Sequence, residues 1–171
     1  PLEYYSVEYS VPVELVEILL QDYDSETVDR ILGSSYEMRP TSIRVNTDRI
    51  SVDEVERKLE AAGIETVRGS LNDTSLLIKG YDYVRRIPGF MDGEFVVQDQ
   101  SSCLAVRAAG IQNGDLVVDV CAAPGGKTMY AASLAGQTGR VISRDLTENK
   151  TELIEENVDR LGPVSYTHLR A

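Results

Sequence analysis

The chain has 171 residues, 42% hydrophobic and 26% charged, which are values of a globular protein of one ordinary domain or two small ones, not of a disordered chain. Its formal net charge of −11 argues against a general nucleic-acid binder, and only Arg39, Arg44 and Arg49, or Arg85 and Arg86, could gather into a basic patch. No apolar run approaches the ~18 residues of a membrane span and no leader pattern opens the chain, so a soluble cytoplasmic protein is expected; two cysteines, Cys103 and Cys121, argue against a disulfide scaffold and show no metal-ligand spacing.

In chain order, Val13 to Gln21 reads as an amphipathic helix, with Val13, Val16, Ile18, Leu19 and Leu20 set among acids and Pro12 near its first turn. Ser25 to Leu32 is a second helix, capped by Asp24 or Ser25 and stopped by Gly33. Thr41 to Thr47 alternates as a strand. Ser51 caps the next helix, and Glu54 completes a capping box. Val52, Val55, Leu59 and Ala62 form its inward stripe, and Gly63 ends it. Ile64 to Val67 and Leu76 to Ile78 are two more strands. Two helices followed by βαββ predict a small α+β module over residues 1–87, with its helices on one face of a sheet. The turn-rich Ile87-Pro88-Gly89-Phe90-Met91-Asp92-Gly93 marks a domain boundary. Beyond it come a short strand (Phe95 to Val97) and a helix (Gln98 to Ala109) stopped by Gly110. A strand at 115–120, a helix from Lys127 to Ala135, a strand at 140–144 and a helix at 148–161 follow.

The chemistry concentrates between Asp115 and Thr128. Leu116, Val117, Val118 and Val120 suit a buried strand. The strand enters a Pro124-Gly125-Gly126 turn and then a helix, an arrangement that aims helix N–H groups at an anionic ligand. A phosphate-binding loop would need its first glycine at position 121, where Cys121 stands, and the spaced glycines of a dinucleotide fingerprint are missing. A second acid, Asp145, lies 20 residues past Gly125 at the end of the next strand, placed to accept ribose hydroxyls. A nucleoside without a long phosphate chain fits, and S-adenosyl-L-methionine is such a ligand. On this reading Lys127 stands beside the cofactor's carboxylate or merely caps the helix start, and Asp145 holds its sugar or is an ordinary strand-end acid. Asp119 either binds the cofactor directly or holds the loop. Gln98 and Asp99 either position that loop or simply start their helix. No metal site is expected.

The run Asp119-Val120-Cys121-Ala122-Ala123-Pro124-Gly125-Gly126-Lys127-Thr128 resembles the cofactor motif of the NOL/NOP/Sun family of RNA (cytosine-5) methyltransferases, most of all its bacterial 16S ribosomal RNA branch. Further segments resemble that family in the same order: Tyr9 to Pro12, Arg39 to Asn46, Gly93 to Ser102, and Glu156 to Gly162. The resemblance implies a Rossmann-like class I methyltransferase domain over 88–162, truncated within its catalytic half and preceded by the α+β module as an RNA-binding element. It implies S-adenosyl-L-methionine as cofactor, walled by Cys121, Ala122, Ala123, Pro124, Gly125, Gly126 and Lys127 with Asp145 at its sugar, 16S ribosomal RNA as partner and a monomeric full-length enzyme. It also gives Arg44 and Asn46 an RNA-facing or domain-bridging role. In that family the nucleophilic cysteine and an Asp-Ala-Pro-Cys motif both lie downstream of the region covered here, and this chain has no Pro-Cys dipeptide, so the 171-residue chain is expected to be inactive. Residues 163–171 depart from the family pattern and are set aside as a non-native tail, leaving two strands after residue 115. A non-catalytic RNA-binding module and, on Gly126-Lys127-Thr128, an ATP-binding protein are the competing readings.

Overall fold

The computed structural model describes residues 2–37, 39–163 and 166–170, and the chain gathers into two compact units, 1–39 and 40–171. In the first unit, α1 (Leu2–Glu8), α2 (Val13–Asp22) and α3 (Ser25–Gly33) close around Val16, Val28 and Leu32. The sequence did not announce α1, which buries none of its residues fully and so carries no clear apolar stripe. Asp24 caps α3 by accepting from the Thr27 N–H at 2.8 Å. The α-helix ends at Gly33 as expected, but not by a left-handed turn. A glycine usually ends a helix by turning left-handed, whereas Gly33 is right-handed helical at φ −59° and the chain runs on into a 3₁₀ turn, Ser34–Tyr36.

The second unit opens with a four-stranded antiparallel sheet of β1 (Thr41–Val45), β2 (Glu65–Arg68), β3 (Ser75–Lys79) and β4 (Phe95–Val97), in the order β2-β3-β1-β4. Helix α4 (Val52–Ala61) has the expected capping box: Glu54 N–H donates to Ser51 Oγ at 3.3 Å, and Ser51 N–H donates to the Glu54 carboxylate at 3.1 Å. Val55 and Leu59 from α4 meet Ile43, Val45, Leu76, Ile78 and Phe95 from the sheet. Ala62, expected on that stripe, is the exposed cap where the helix ends. The turn-rich stretch at 87–93 does not divide the molecule, because Ile87 and Phe95 belong to the same core as β1. Turn residues report a change of direction, and here the chain turns back to finish its own sheet.

The rest is a parallel sheet, β5 (Leu116–Asp119), β6 (Arg140–Arg144) and β7 (Tyr166–Arg170), in that order, with α5 (Gln100–Ala108), α6 (Gly126–Ala135) and α7 (Glu148–Leu161). Helix α6 is buried nearly all round, since Thr128, Ala131, Ala132 and Ala135 are small enough to lie against neighbours on several sides. Its core partners include Cys103, Val106 and Val141. Val96 of β4, Met129 of α6 and Leu161 of α7 pack together, so the two sheets share one body.

Two expectations change here. Strand β5 is not covered on both faces: Leu116 is 64% and Val118 50% exposed, because among the described residues only the side toward α6 has a partner. Tyr166–Arg170, set aside with the tail, forms a third strand parallel to β6, whose edge offers unpaired N–H and C=O groups that strand-favouring Tyr166, Thr167 and Leu169 can meet. Residues 164, 165 and 171 of that tail lie outside the described residues. Arg144, unusual so late in a strand, ends β6 with its side chain exposed.

Candidate functional site

At the end of β5 the chain must reverse into α6, and backbone bonds define how. Ala122 N–H donates to Arg144 O at 3.1 Å, fastening the loop to the end of β6. Gly125 N–H then donates to Ala122 O at 2.6 Å, closing a turn around a cis Ala123–Pro124 bond. Gly125 sits at φ +103°, a region that side chains with a Cβ rarely enter. Cys121, Pro124 and Lys127 are exposed, Ala123 and Gly126 half-buried, Ala122 and Gly125 buried. Helix α6 begins at Gly126, and its first N–H groups have no partners within the helix. They carry the positive end of the helix dipole.

Two carboxylates hold this loop from below. Asp119 accepts from Cys121 N–H at 3.3 Å and from Thr128 Oγ1 at 2.7 Å, which makes it the loop's anchor, the second of the two roles open to it from sequence. Asp145, at the tip of β6, accepts from Ala123 N–H at 2.9 Å and Leu146 N–H at 2.7 Å and pairs with Lys150 at 3.2 Å. These bonds, the one from Ala123 first, hold its carboxyl below the usual carboxylate range, and burial opposes them only in part. The structure thus brings Asp145 to the loop. Among the described residues only Ala123 N–H donates to Oδ2, so a lone pair remains beside the turn for a further hydroxyl.

Helix α7 grips the same loop from the side, and sequence reasoning did not single this out. Asn157 Nδ2 donates to Pro124 O at 2.8 Å. Arg160, one turn on, donates to Asn157 Oδ1 at 2.8 Å and to the carbonyls of Phe90 at 2.8 Å and Phe95 at 2.9 Å, with its guanidinium 4.1 Å from the centre of the Phe90 ring. The available signal was the i, i+3 spacing of Asn157 and Arg160. Their acceptors are backbone atoms of distant segments, which no spacing reveals. Gly93 lets that segment approach closely, since a Cβ there would stand 2.0 Å from Arg160 O.

Arg44 and Asn46 do not face outward as RNA contacts. Asn46 Nδ2 bridges Gly93 O and Leu161 O, each at 3.0 Å. Arg44 is 4% exposed, lies over the Tyr130 ring at 4.6 Å and donates from Nε to Gln98 Oε1 at 2.7 Å. Arg44 therefore ties the antiparallel sheet to α6, and Asn46, just past the end of β1, ties it to α7. Asp99 caps α5, accepting from Ser101 N–H at 2.8 Å. An open pocket of about 180 Å³ lies over the α6 N-terminus, lined by Gln98, Asp99, Ser102, Ala123, Pro124, Gly126 and Lys127 among others. Among the described residues no group of three or more His, Cys, Asp or Glu could hold a metal, and no helix is long and apolar enough to cross a membrane.

Two family models match the chain: a "Methyltr_RsmF/B-like, ferredoxin-like domain" over residues 11–84 and "16S rRNA methyltransferase RsmB/F" over residues 107–170. The chain is 35% identical to the "Probable ribosomal RNA small subunit methyltransferase B" of Bacillus subtilis, an alignment covering 95% of this chain and 36% of the relative. It is 31% identical to the "Ribosomal RNA small subunit methyltransferase B" of Vibrio cholerae, over 90% of this chain and 35% of the relative. The chain thus spans about a third of the length of these curated relatives. Among solved structures, a methyltransferase homolog protein from Pyrococcus horikoshii superposes with a TM-score of 0.79 at 25% identity, over 99% of this chain and 55% of that one.

Proposed function

We propose, for a chain that belongs to the RsmB/F family of 16S rRNA methyltransferases, that the loop at 121–127 binds S-adenosyl-L-methionine. The whole enzyme uses it to methylate a cytosine C5 in 16S ribosomal RNA, acting in the cytoplasm as a monomer. The observation that carries this reading is the bond from Ala123 N–H to Asp145, which sets the anion-seeking turn and the ribose-seeking acid side by side. The donor's methionine end lies over the α6 N-terminus near Lys127. Its ribose takes the remaining lone pair on Asp145 or the place of Lys150. When bound, the cofactor supplies an electrophilic methyl group on a sulfonium; the residues described here bind and orient it.

RNA enters as substrate from the relatives' names and from the exposed Arg85 and Arg86, which have no carboxylate within ion-pair distance among the described residues. A purely RNA-binding reading loses its two named contacts, since Arg44 and Asn46 turn inward. Neither cysteine suits attack on a base, because Cys103 is buried in the core and Cys121 walls the loop. Calorimetry on the 171-residue protein is expected to show one S-adenosyl-L-methionine site and no site for Mg-ATP, with no labelled methyl transferred to 16S RNA. Heat with Mg-ATP alone would replace this reading by the ATP-binding one, and methyl transfer would contradict the assignment of the two cysteines.

A further inference from the structure

Gln98 directly follows the short strand β4 and turns its amide toward the first residue of α6. It is 6% exposed, and a Cβ on Gly126 would stand 3.5 Å from its amide carbon. The amide's two ends are distinguishable by chemistry. Arg44 can only donate, so the atom that receives its Nε–H is the Gln98 oxygen, and the other end must be the NH₂ group. Arg44 cannot easily turn away, being buried and laid against Tyr130. Gln98 Nε2 is itself buried and has no acceptor among the described residues. A buried amide donor without a partner costs about 1–3 kcal/mol, so a group that accepts from it is strongly favoured at that point.

The surroundings specify which acceptor. The N–H groups of α6 and the Lys127 ammonium border the same pocket, and the buried Arg44 cation, with no carboxylate in ion-pair contact among the described residues, stands behind Gln98. All of these favour an anion. Asp99 lines the pocket too, and it would repel a simple anion. Its Oδ1 takes both the N–H and the hydroxyl of Ser101, which leaves Oδ2 able to accept. An anion and a cation joined through one carbon, the head of an α-amino acid, satisfies donors and acceptor together.

We propose that Gln98 is a specificity-determining residue whose amide donates to the α-carboxylate of the methyl donor, and that Arg44 is the positioning residue that keeps the NH₂ end toward it. The inference rests on the S-adenosyl-L-methionine reading of the loop and adds the part of the ligand that the site recognises. It gives the interior Arg44 a purpose that packing alone does not, since a buried cation is costly where an apolar side chain would serve.

The test compares S-adenosyl-L-methionine with 5′-methylthioadenosine, which has the nucleoside and sulfur but no amino-acid head, by calorimetry on the 171-residue protein. Gln98→Glu keeps an oxygen for Arg44 and puts a carboxylate oxygen where the donor was. It is expected to weaken S-adenosyl-L-methionine roughly tenfold or more, by loss of one bond and gain of a repulsion, and to leave 5′-methylthioadenosine within about twofold. Arg44→Met frees the amide to rotate and is expected to narrow the preference for the full donor in the same direction, by less. Thermal unfolding of each variant checks that it folds; a folded Gln98→Glu suffices if Arg44→Met does not fold. Equal losses for both ligands, or no loss for either, overturn the inference while the cofactor reading stands. A wild-type chain that binds neither ligand removes the cofactor reading and this inference with it.

Discussion

Asp145→Ala is expected to weaken S-adenosyl-L-methionine binding roughly tenfold or more, because it removes a charge-assisted acceptor both from the ligand's sugar and from the loop that holds the ligand. The loop effect can be separated from the sugar effect. Ala123 N–H and Leu146 N–H both end on this carboxylate, so the variant leaves two donors at the turn without their acceptor. Asp145→Asn keeps one carbonyl oxygen for one of them and is expected to recover part of the loss. The same bonds set a pH dependence. They lower the Asp145 pKa in the folded chain, so their stabilisation is fully present above the unfolded value of about 3.9 and disappears as pH falls through the lower, folded value. Thermal unfolding followed from pH 7 downward should therefore lose this contribution only below about pH 4, and the Asp145→Ala protein should lack that step. A variant with wild-type affinity would leave Asp145 as an ordinary strand-end acid.

Arg160→Ala is expected to destabilise the 40–171 unit by about 2–3 kcal/mol, visible as a fall of several degrees in its unfolding midpoint. The guanidinium joins three segments: the Phe90 turn, strand β4 at Phe95, and Asn157 on α7. Its removal takes away two hydrogen bonds to backbone carbonyls and the contact with the Phe90 ring. It also releases Asn157, whose other end holds the Pro124 carbonyl, so cofactor affinity should fall along with stability. Arg160→Lys should restore little of either, since a single ammonium cannot reproduce the planar fork that spans three acceptors. A change below about 0.5 kcal/mol in the alanine variant would show that the packing of Val96, Met129 and Leu161, with the bond from Asn46 to Leu161 O, holds α7 in place without Arg160.

What could be read from the sequence was what is local. The Ser51–Glu54 box, the Asp24 cap and the glycine turn before α6 each depend on residues a few positions apart, and each formed as expected. Spacing also carried the meeting of Asp145 with the loop, because consecutive parallel strands put their tips side by side. What could not be read was long-range partnership. Arg44 has the composition of an RNA contact, but its strand is third in an antiparallel order that closes only with β4, and that closure turns Arg44 inward onto Gln98. Gly33 has the residue type of a helix stop, yet only its backbone angles decide how the helix ends there. The uncovered face of β5 was likewise invisible, since Leu116 and Val118 are apolar whether or not anything covers them.

On the proposed reading, one turn fastened by Asp119, Asp145 and Asn157 receives the methyl donor. Amide nuclear magnetic resonance spectra of the isotope-labelled chain, with and without S-adenosyl-L-methionine, decide whether it does. Saturable shifts are expected at Ala123, Gly125, Gly126, Lys127, Thr128 and Leu146, with the helices of residues 2–33 undisturbed. Shifts that cluster elsewhere, or a spectrum that does not respond at millimolar ligand, would contradict that reading.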